Sequence, residues 1–396
     1  MTDNRSAAAS VRERRIAMLR RTGMAEQHQI PLEAPTRTFY ATLLLVSALV
    51  LLGLVMVLSS SSITTIHTGG SAWSFFRRQA SFAIIGLVAG AMTYKLPYRM
   101  WANVRWLGSL VVAVIALNFI VAATGQVING ARAWLDIGPF RFQPSEFMKP
   151  AAILFCANLL AKRHRSIPIR QMVLYPMLGV VAVTTGLCAV QKDYGSAVIF
   201  GGTALAMMVI GGLPARQLAG VTALFAVAGV GVLKSARNAS ERMLAFMNLS
   251  ETKEDSGYQV YQSILSIANG GWQGTGIGSG TSKWGYVPLA HSDFIFAVVA
   301  EELGIAGALM VIGGFFLLVL LGVRIALHAV DKHGALIAGG VSAWFGIQAV
   351  VNIGGVVGVM PMTGLTLPFI SYGGSSLVAS MAGAGLLLSV ARHMKA

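Results

Sequence analysis

TFYATLLLVSALVLLGLVMVLS, residues 38–59, decides the fold: the stretch carries no charge and only short interruptions by small polar residues. A helix needs about 20 such residues, at 1.5 Å each, to cross the hydrocarbon of a bilayer. Working outward, similar runs recur at 80–96, 104–123, 146–162, 171–190, 194–212, 217–235, 293–323, 336–356 and 372–391. The pattern predicts an all-α, polytopic membrane protein with about ten transmembrane helices, both termini on one side, and a large loop, 236–292, between helices seven and eight. Composition agrees: 55% of the 396 residues are hydrophobic and 11% charged, where soluble domains carry roughly 25% charged residues. Mean hydropathy is +0.68.

The net charge of +15 does not indicate nucleic acid, because the basic residues sit mainly in short segments between apolar runs. Residues 1–37 (Arg12, Arg14, Arg15, Arg20, Arg21), the 96–105 loop (Arg99, Arg105), the 162–170 loop (Lys162, Arg163, Arg165, Arg170), Arg216, the 324–332 loop and the C-terminus (Arg392, Lys395) all fall on one face. The positive-inside rule makes that face cytoplasmic. Residues 1–37 read as a basic tail, expected to be disordered and to contact anionic lipid, with 38–396 as a single transmembrane domain. The tail is not a signal peptide, since the run after it is full-length and lacks a small-residue cleavage site. Cys156 and Cys188 lie inside apolar runs and imply no disulfide framework.

Most acids beyond the tail fall on the other face: Asp136, Asp193, Glu241, Glu251, Glu254, Asp255 and Asp293, against Asp331 alone on the basic side. Two long segments, 124–145 and 236–292, also lie there, and long loops rich in aromatic and charged residues are usually functional. Asp293 is the leading candidate. It stands where a polar loop meets an apolar span, so desolvation should raise its pKa toward the range of a general base; its bland role is to cap the following helix. Glu301 and Glu302 lie about 12 Å further along that span. At such depth an acid lines a cavity or pairs with Arg or Lys, and the second role is expected of one of the two. Residues 258–269 suit a short helix. The glycines from 270 to 280 break it, and their fragments of a dinucleotide fingerprint follow no strand.

Two further segments attract attention. In FRFQPSEFMK, 140–149, Pro144 and Ser145 suit a helix start, and Glu146 and Lys149 share a face. They form either a self-satisfied ion pair or a polar cluster at the mouth of an outward cavity. In PMTGLTLPFISYGGSS, 361–376, prolines and glycines break the helix before the last span, placing Ser371, Tyr372, Ser375 and Ser376 either at a cavity or in a packing turn. No zinc spacing, P-loop or nucleophile elbow occurs. His291 with Asp293 is at most a fragment of a metal site, so no protein-held metal is expected.

NGARAWLDIGPFRFQPSE (129–146), QKDYG (191–195), the stretch from Gly257 to Leu303, and NIGGVVGVMPMTGLTLPFISYGGSSL (352–377) resemble, in order and spacing, the SEDS family of shape, elongation, division and sporulation proteins. GLTLPFISYGGSSL looks more like the division branch than the elongation branch. The resemblance implies a ten-helix fold and a peptidoglycan glycosyltransferase that polymerises lipid II on the outer face of the bacterial inner membrane, at the division septum. It implies Asp293 as the essential aspartate and matches Gln143, Glu146, Lys149, Lys283, Glu301, Glu302, Ser371 and Gly373. Departures are Ala133, where the family often has Arg before Trp134; Lys192, where QPD is usual; Thr363, where PTKG is usual; and Leu249, where Asn-Pro is common.

In the mechanism so implied, Asp293 deprotonates the acceptor sugar hydroxyl. Lys149, Lys283 or Arg242, or a divalent cation (Mg or Mn) carried by the undecaprenyl diphosphate, steadies the leaving group. The implied partners are a class B penicillin-binding protein, supplying transpeptidase activity, and divisome regulators. A flippase for lipid-linked precursor, an elongation-type polymerase and a recruiting scaffold are the competing readings.

Overall fold

The structure is a computed structural model that describes residues 35–67, 71, 73–128, 130–138, 140–163 and 170–394, with the backbone alone at 62–67, 137, 140 and 283. The arginines of the basic tail, Arg165 and Lys395 lie outside the described residues.

Each of the ten expected apolar runs falls on a long helix: α1 (Arg37–His67), α2 (Ser74–Lys95), α3 (Val104–Thr124), α4 (Pro144–Lys162), α5 (Leu174–Val190), α6 (Tyr194–Ile210), α7 (Ala215–Ser235), α11 (Ile295–Leu327), α12 (Lys332–Val356) and α13 (Gly374–Ala391). Six of them, α1, α3, α7, α11, α12 and α13, are long and apolar enough to cross a membrane. The charges of α2 and α4 and the 17-residue lengths of α5 and α6 set those four apart. α1 runs past its expected end at Ser59. Ser60 and Ser61 turn their hydroxyls back onto the helix, Ser61 donating to the Val57 carbonyl at 2.7 Å, so the helix itself satisfies them where a polar run would otherwise end it.

The 236–292 segment carries α8 (Arg237–Met247), α9 (Leu249–Thr252) and the expected short helix, α10 (Tyr258–Gly270). Residues 126–142, read from the sequence only as a loop, form a three-stranded antiparallel sheet: β1 (Gln126–Ile128), β2 (Ala131–Ile137) and β3 (Phe140–Phe142). Its signal was the Asn-Gly pair at 129–130, a hairpin turn sequence; Gly130 takes φ +81°.

α12 and α13 form the centre. About two thirds of α12's apolar window and 83% of α13's are buried, against 6% for α7. Trp344 and Phe345 of α12 are fully enclosed. α13 approaches α2 closely because Gly385 meets the backbone of Gly90, where a Cβ would collide. At one end of the bundle Arg99 pairs with Asp331 at 2.9 Å, Lys162 donates to the Ala102 carbonyl, and Thr36 meets Met394. The connections after α2 and α11, the end of α4 and the end of α13 therefore meet there.

α11 is interrupted at Gly304, whose φ of +66° is non-helical. Residues 295–302 are all buried, whereas Ile305, Leu309 and Met310 beyond the kink are exposed. The glycine-rich loop pairs with this kink through its backbone: Thr275 N–H donates to the Glu301 carbonyl (2.9 Å), Gly276 N–H to that of Glu302 (3.0 Å), and Ile305 N–H to that of Gly271 (3.0 Å). A Cβ on Gly304 would sit 2.6 Å from the Trp272 carbonyl. Gly304→Ala should therefore lower the melting temperature of the purified protein clearly. Gly313→Ala, where a Cβ meets open space in the same helix, should leave it unchanged or slightly raised.

Candidate functional site

The broken segment between α12 and α13 folds back against the start of α11 and, together with Asn352 of α12, holds it by three successive carbonyls. Tyr372 N–H donates to the His291 carbonyl (2.9 Å), Ser371 Oγ to that of Ser292 (2.6 Å), and Asn352 Nδ2 to that of Asp293 (2.9 Å). Ser371 also accepts from Leu367 N–H at 2.8 Å. Its hydroxyl is therefore spent on the brace and not presented to a cavity. Ser375 accepts from Gln143 N–H and Ser376 is engaged by Thr366, so the packing role expected of these serines accounts for their contacts.

Asp293 does not cap the helix. α11 begins at Ile295 with Phe294 at the cap position and no side-chain cap, which leaves the carboxylate turned toward a narrow cleft. Asp293, Asn352, Met362, Thr363 and Gly364 line that cleft. Arg242 reaches it from α8 and donates to the Thr363 carbonyl at 2.9 Å. Gly364, at φ +72°, separates the two charges: a Cβ there would lie 3.5 Å from the guanidinium and 3.6 Å from the carboxylate. The two groups face each other across the glycine without closing into a direct ion pair. Burial pushes the Asp293 pKa up to about 6; Arg242 opposes the rise and Asp193 adds to it. The carboxylate is thus ionised at neutral pH and yet basic enough to accept a proton.

His291 sits among aromatic rings. Its ring packs against Phe75 and Tyr372, with centroids at 4.7 and 5.4 Å, and burial draws its pKa down to about 4, so it is neutral.

A second polar cluster lies beside the first. Asp193 caps α6 through Ser196 N–H and accepts from Gln143 Nε2 (3.3 Å) and Ser145 Oγ (3.2 Å). Glu146 and Lys149 form the expected pair at 2.7 Å, both about 3% exposed or less. Lys149 also donates to Gln348 Oε1, which Trp344 Nε1 shares. The pair is enclosed, yet Glu146 Oε2 is buried with no hydrogen-bond partner among the described residues. Gln348 joins the clusters by donating to the Thr366 carbonyl.

Glu301 and Glu302 belong to neither cluster. Glu301 accepts from Thr281 N–H and Oγ1 (2.7 and 2.6 Å), Ser282 N–H (3.1 Å) and Asn269 Nδ2 (3.0 Å). Ser59 donates to Glu302 at 2.7 Å. The Arg or Lys partner expected of one of them is replaced, at Glu301, by amides and hydroxyls, because the glycine-rich loop brings its N–H groups directly onto the carboxylate. Glu301 therefore pins that loop. Lys283 lies in a 3-10 turn of the same loop, Ser282–Trp284; its side chain lies outside the described residues.

Of the residues singled out in the sequence, Asp293 and Arg242 come together, with Ser371 bracing them. Gln143, Glu146 and Lys149 stand in the adjoining cluster, and Glu301 stands apart. Asn352, Gln348 and Asp193 were missed. Their signal was available: Asn352 and Gln348 are amides inside an apolar span, and Asp193 starts a helix. Lys192, one of the departures from the motif that the sequence resembles, has φ +60°, an angle that a proline ring cannot adopt.

Residues 40–396 match the cell cycle protein family of FtsW, RodA and SpoVE. The chain is 36% identical over 353 residues to a probable peptidoglycan glycosyltransferase FtsW of Geobacter metallireducens, covering 89% of this chain and 94% of that one. It is 34% identical to the stage V sporulation protein E of Bacillus subtilis, covering 89% and 97%. Among solved structures, the rod shape determining protein RodA of Thermus thermophilus aligns with TM-score 0.67 at 29% identity, covering 92% and 98%. A chain from a peptidoglycan synthase complex that coordinates polymerization and crosslinking aligns with TM-score 0.72 at 30% identity, covering 91% and 98%. The motifs, the helical fold and these likenesses agree that this chain belongs to the FtsW/RodA/SpoVE family, the same family its sequence motifs resemble.

Proposed function

We infer that the protein is a peptidoglycan glycosyltransferase that polymerises lipid II on the outer face of the bacterial inner membrane during septal wall synthesis, with Asp293 as general base. The observation that carries this reading is a carboxylate with its pKa raised to about 6, facing an arginine across a glycine in a cleft. Asp293 takes the proton of the acceptor sugar's 4-hydroxyl as that oxygen bonds to the donor's anomeric carbon. The carbon–oxygen bond to the diphosphate breaks on the opposite side. A single displacement inverts an α-linked donor to a β-linked polymer and needs one base and no covalent intermediate. Arg242 is placed to neutralise the charge that develops on the departing diphosphate, which brings its own divalent cation, magnesium or manganese, as part of the substrate. Lys283, on the loop pinned by Glu301, is a second candidate for that role.

The kink in α11 supports the placement. The 23 residues from Ile305 to Leu327 extend about 34 Å, enough to fill the hydrocarbon, so the buried half-helix that follows Asp293 stands at the outer boundary, where a lipid-linked diphosphate is presented. Ten crossings would keep both termini cytoplasmic, as the clustering of basic connections suggests. The synthase complex that the chain resembles suggests a class B penicillin-binding protein as partner, alongside divisome regulators. A flippase explains the broken segment before α13 equally well, but not a poised base outside the spans.

Polymerisation of lipid II by purified chain should fall at least about 100-fold in Asp293→Asn, with lipid II binding retained; an Asn variant of near-normal rate would overturn the base assignment. The rate should rise with an apparent pKa of about 6 and level off above neutral pH. Because Arg242 holds that pKa down, Arg242→Gln should move the acid limb of the profile to higher pH. The fold favours the protonated carboxyl, so wild-type stability should decline as pH rises through 6. Asp293→Asn should accordingly melt higher than wild type at pH 7.5 but not at pH 4, measured by thermal unfolding in detergent.

A further inference from the structure

Asn352 holds two carbonyls and offers a third bond. Its Nδ2 donates to the carbonyls of Asp293 and Leu365. That pairing fixes the amide's orientation, since the flipped form would set its oxygen against two oxygens. Oδ1 is thereby left as an acceptor, buried, with no donor among the described residues. The residue is 4% exposed and lines the same cleft as Asp293 and Gly364. Buried amide oxygens are rarely left unpaired in folded proteins, and an exception at a site points to a ligand donor.

The other groups of the cleft already divide the work. Asp293 is committed to the reacting hydroxyl and Arg242 to an anion. Neither reads the rest of the sugar, whose remaining hydroxyls and acetamido N–H are donors. We propose that Asn352 Oδ1 accepts a hydrogen bond from a non-reacting donor group, a hydroxyl or the acetamido N–H, of the acceptor sugar that Asp293 deprotonates, which makes Asn352 a specificity-determining residue. The inference rests on the glycosyltransferase reading above and adds the group that recognises the acceptor. A site that hydrogen-bonds a substrate donor penalises analogues lacking it more strongly than an apolar pocket penalises a missing methylene, because its own acceptor is then stranded.

The test uses the full chain and a set of lipid-linked acceptors, each lacking one donor: singly deoxygenated sugars, and one with acetoxy in place of acetamido. Wild type should lose about tenfold or more in kcat/KM on one of these analogues, and that analogue identifies which donor is read. Asn352→Ala and Asn352→Ser lose the brace as well and should be slower on every acceptor, but their discrimination against that one analogue should collapse toward unity while the other ratios stay. If turnover is too low, competition of the same analogues against labelled lipid II for binding reads the same ratios. Wild type tolerating every analogue, or variants keeping the full discrimination, overturns the proposal and leaves Asn352 a brace only. Absence of polymer from wild type with the intact acceptor would instead overturn the glycosyltransferase reading itself.

Discussion

The carbonyl oxygens of His291, Ser292 and Asp293 are held in sequence by Tyr372, Ser371 and Asn352. A polar backbone at the mouth of an apolar helix must be satisfied, and nothing regular does it here because α11 starts only at Ile295. Asn352 of α12 supplies one of those bonds and the segment after α12 the other two. The segment does so only because its prolines and glycines keep it from continuing as a helix, which would consume its own N–H groups internally. The broken segment and the poised carboxylate are therefore one device. The acid is positioned through its main chain, and its side chain remains available for chemistry.

Around that device the protein buries charge on a scale that soluble cores avoid. Glu146 and Lys149 are enclosed together, and Lys149 also donates to the amide oxygen of Gln348. Glu301 is wrapped by amides and hydroxyls. Burying such groups is costly, and removing one partner from a buried pair strands the other. These sites consequently give conformational uniqueness more than net stability. The Glu146–Lys149 pair fixes how α4 meets α12, and Glu301 fixes where the glycine-rich loop crosses the kink at Gly304.

Much of the fold was legible because lipid imposes a simple rule, that long apolar runs become helices: each expected run falls on a helix, six of these are long and apolar enough to cross a membrane, and the interruption at Gly304 within the 293–323 run was not foreseen. Asp293 was legible as an acid at a polar–apolar boundary. The strands at 126–142 were missed because three short strands give little periodicity, although the Asn-Gly turn was there to read. The partners of Glu301 could not be named from the sequence because backbone amides leave no mark in it. Asn352 and Asp193 escaped for a related reason. Their importance comes from what the chain brings beside them from 48 to 59 residues away, Gln143 and Ser145 beside Asp193 and Asp293 beside Asn352, and no local pattern encodes that.

Neighbouring positions in the segment before α13 live under opposite evolutionary rules. Thr363 serves the arginine through its carbonyl, a group every residue possesses, so that bond does not depend on which side chain stands there. Gly364 is useful for having nothing beyond its Cα. Any amino-acid change to its codon inserts atoms between guanidinium and carboxylate and strains the left-handed backbone. Lineages can diversify one residue away from the reactive centre, but at 364 itself there is no neighbouring genotype to move to.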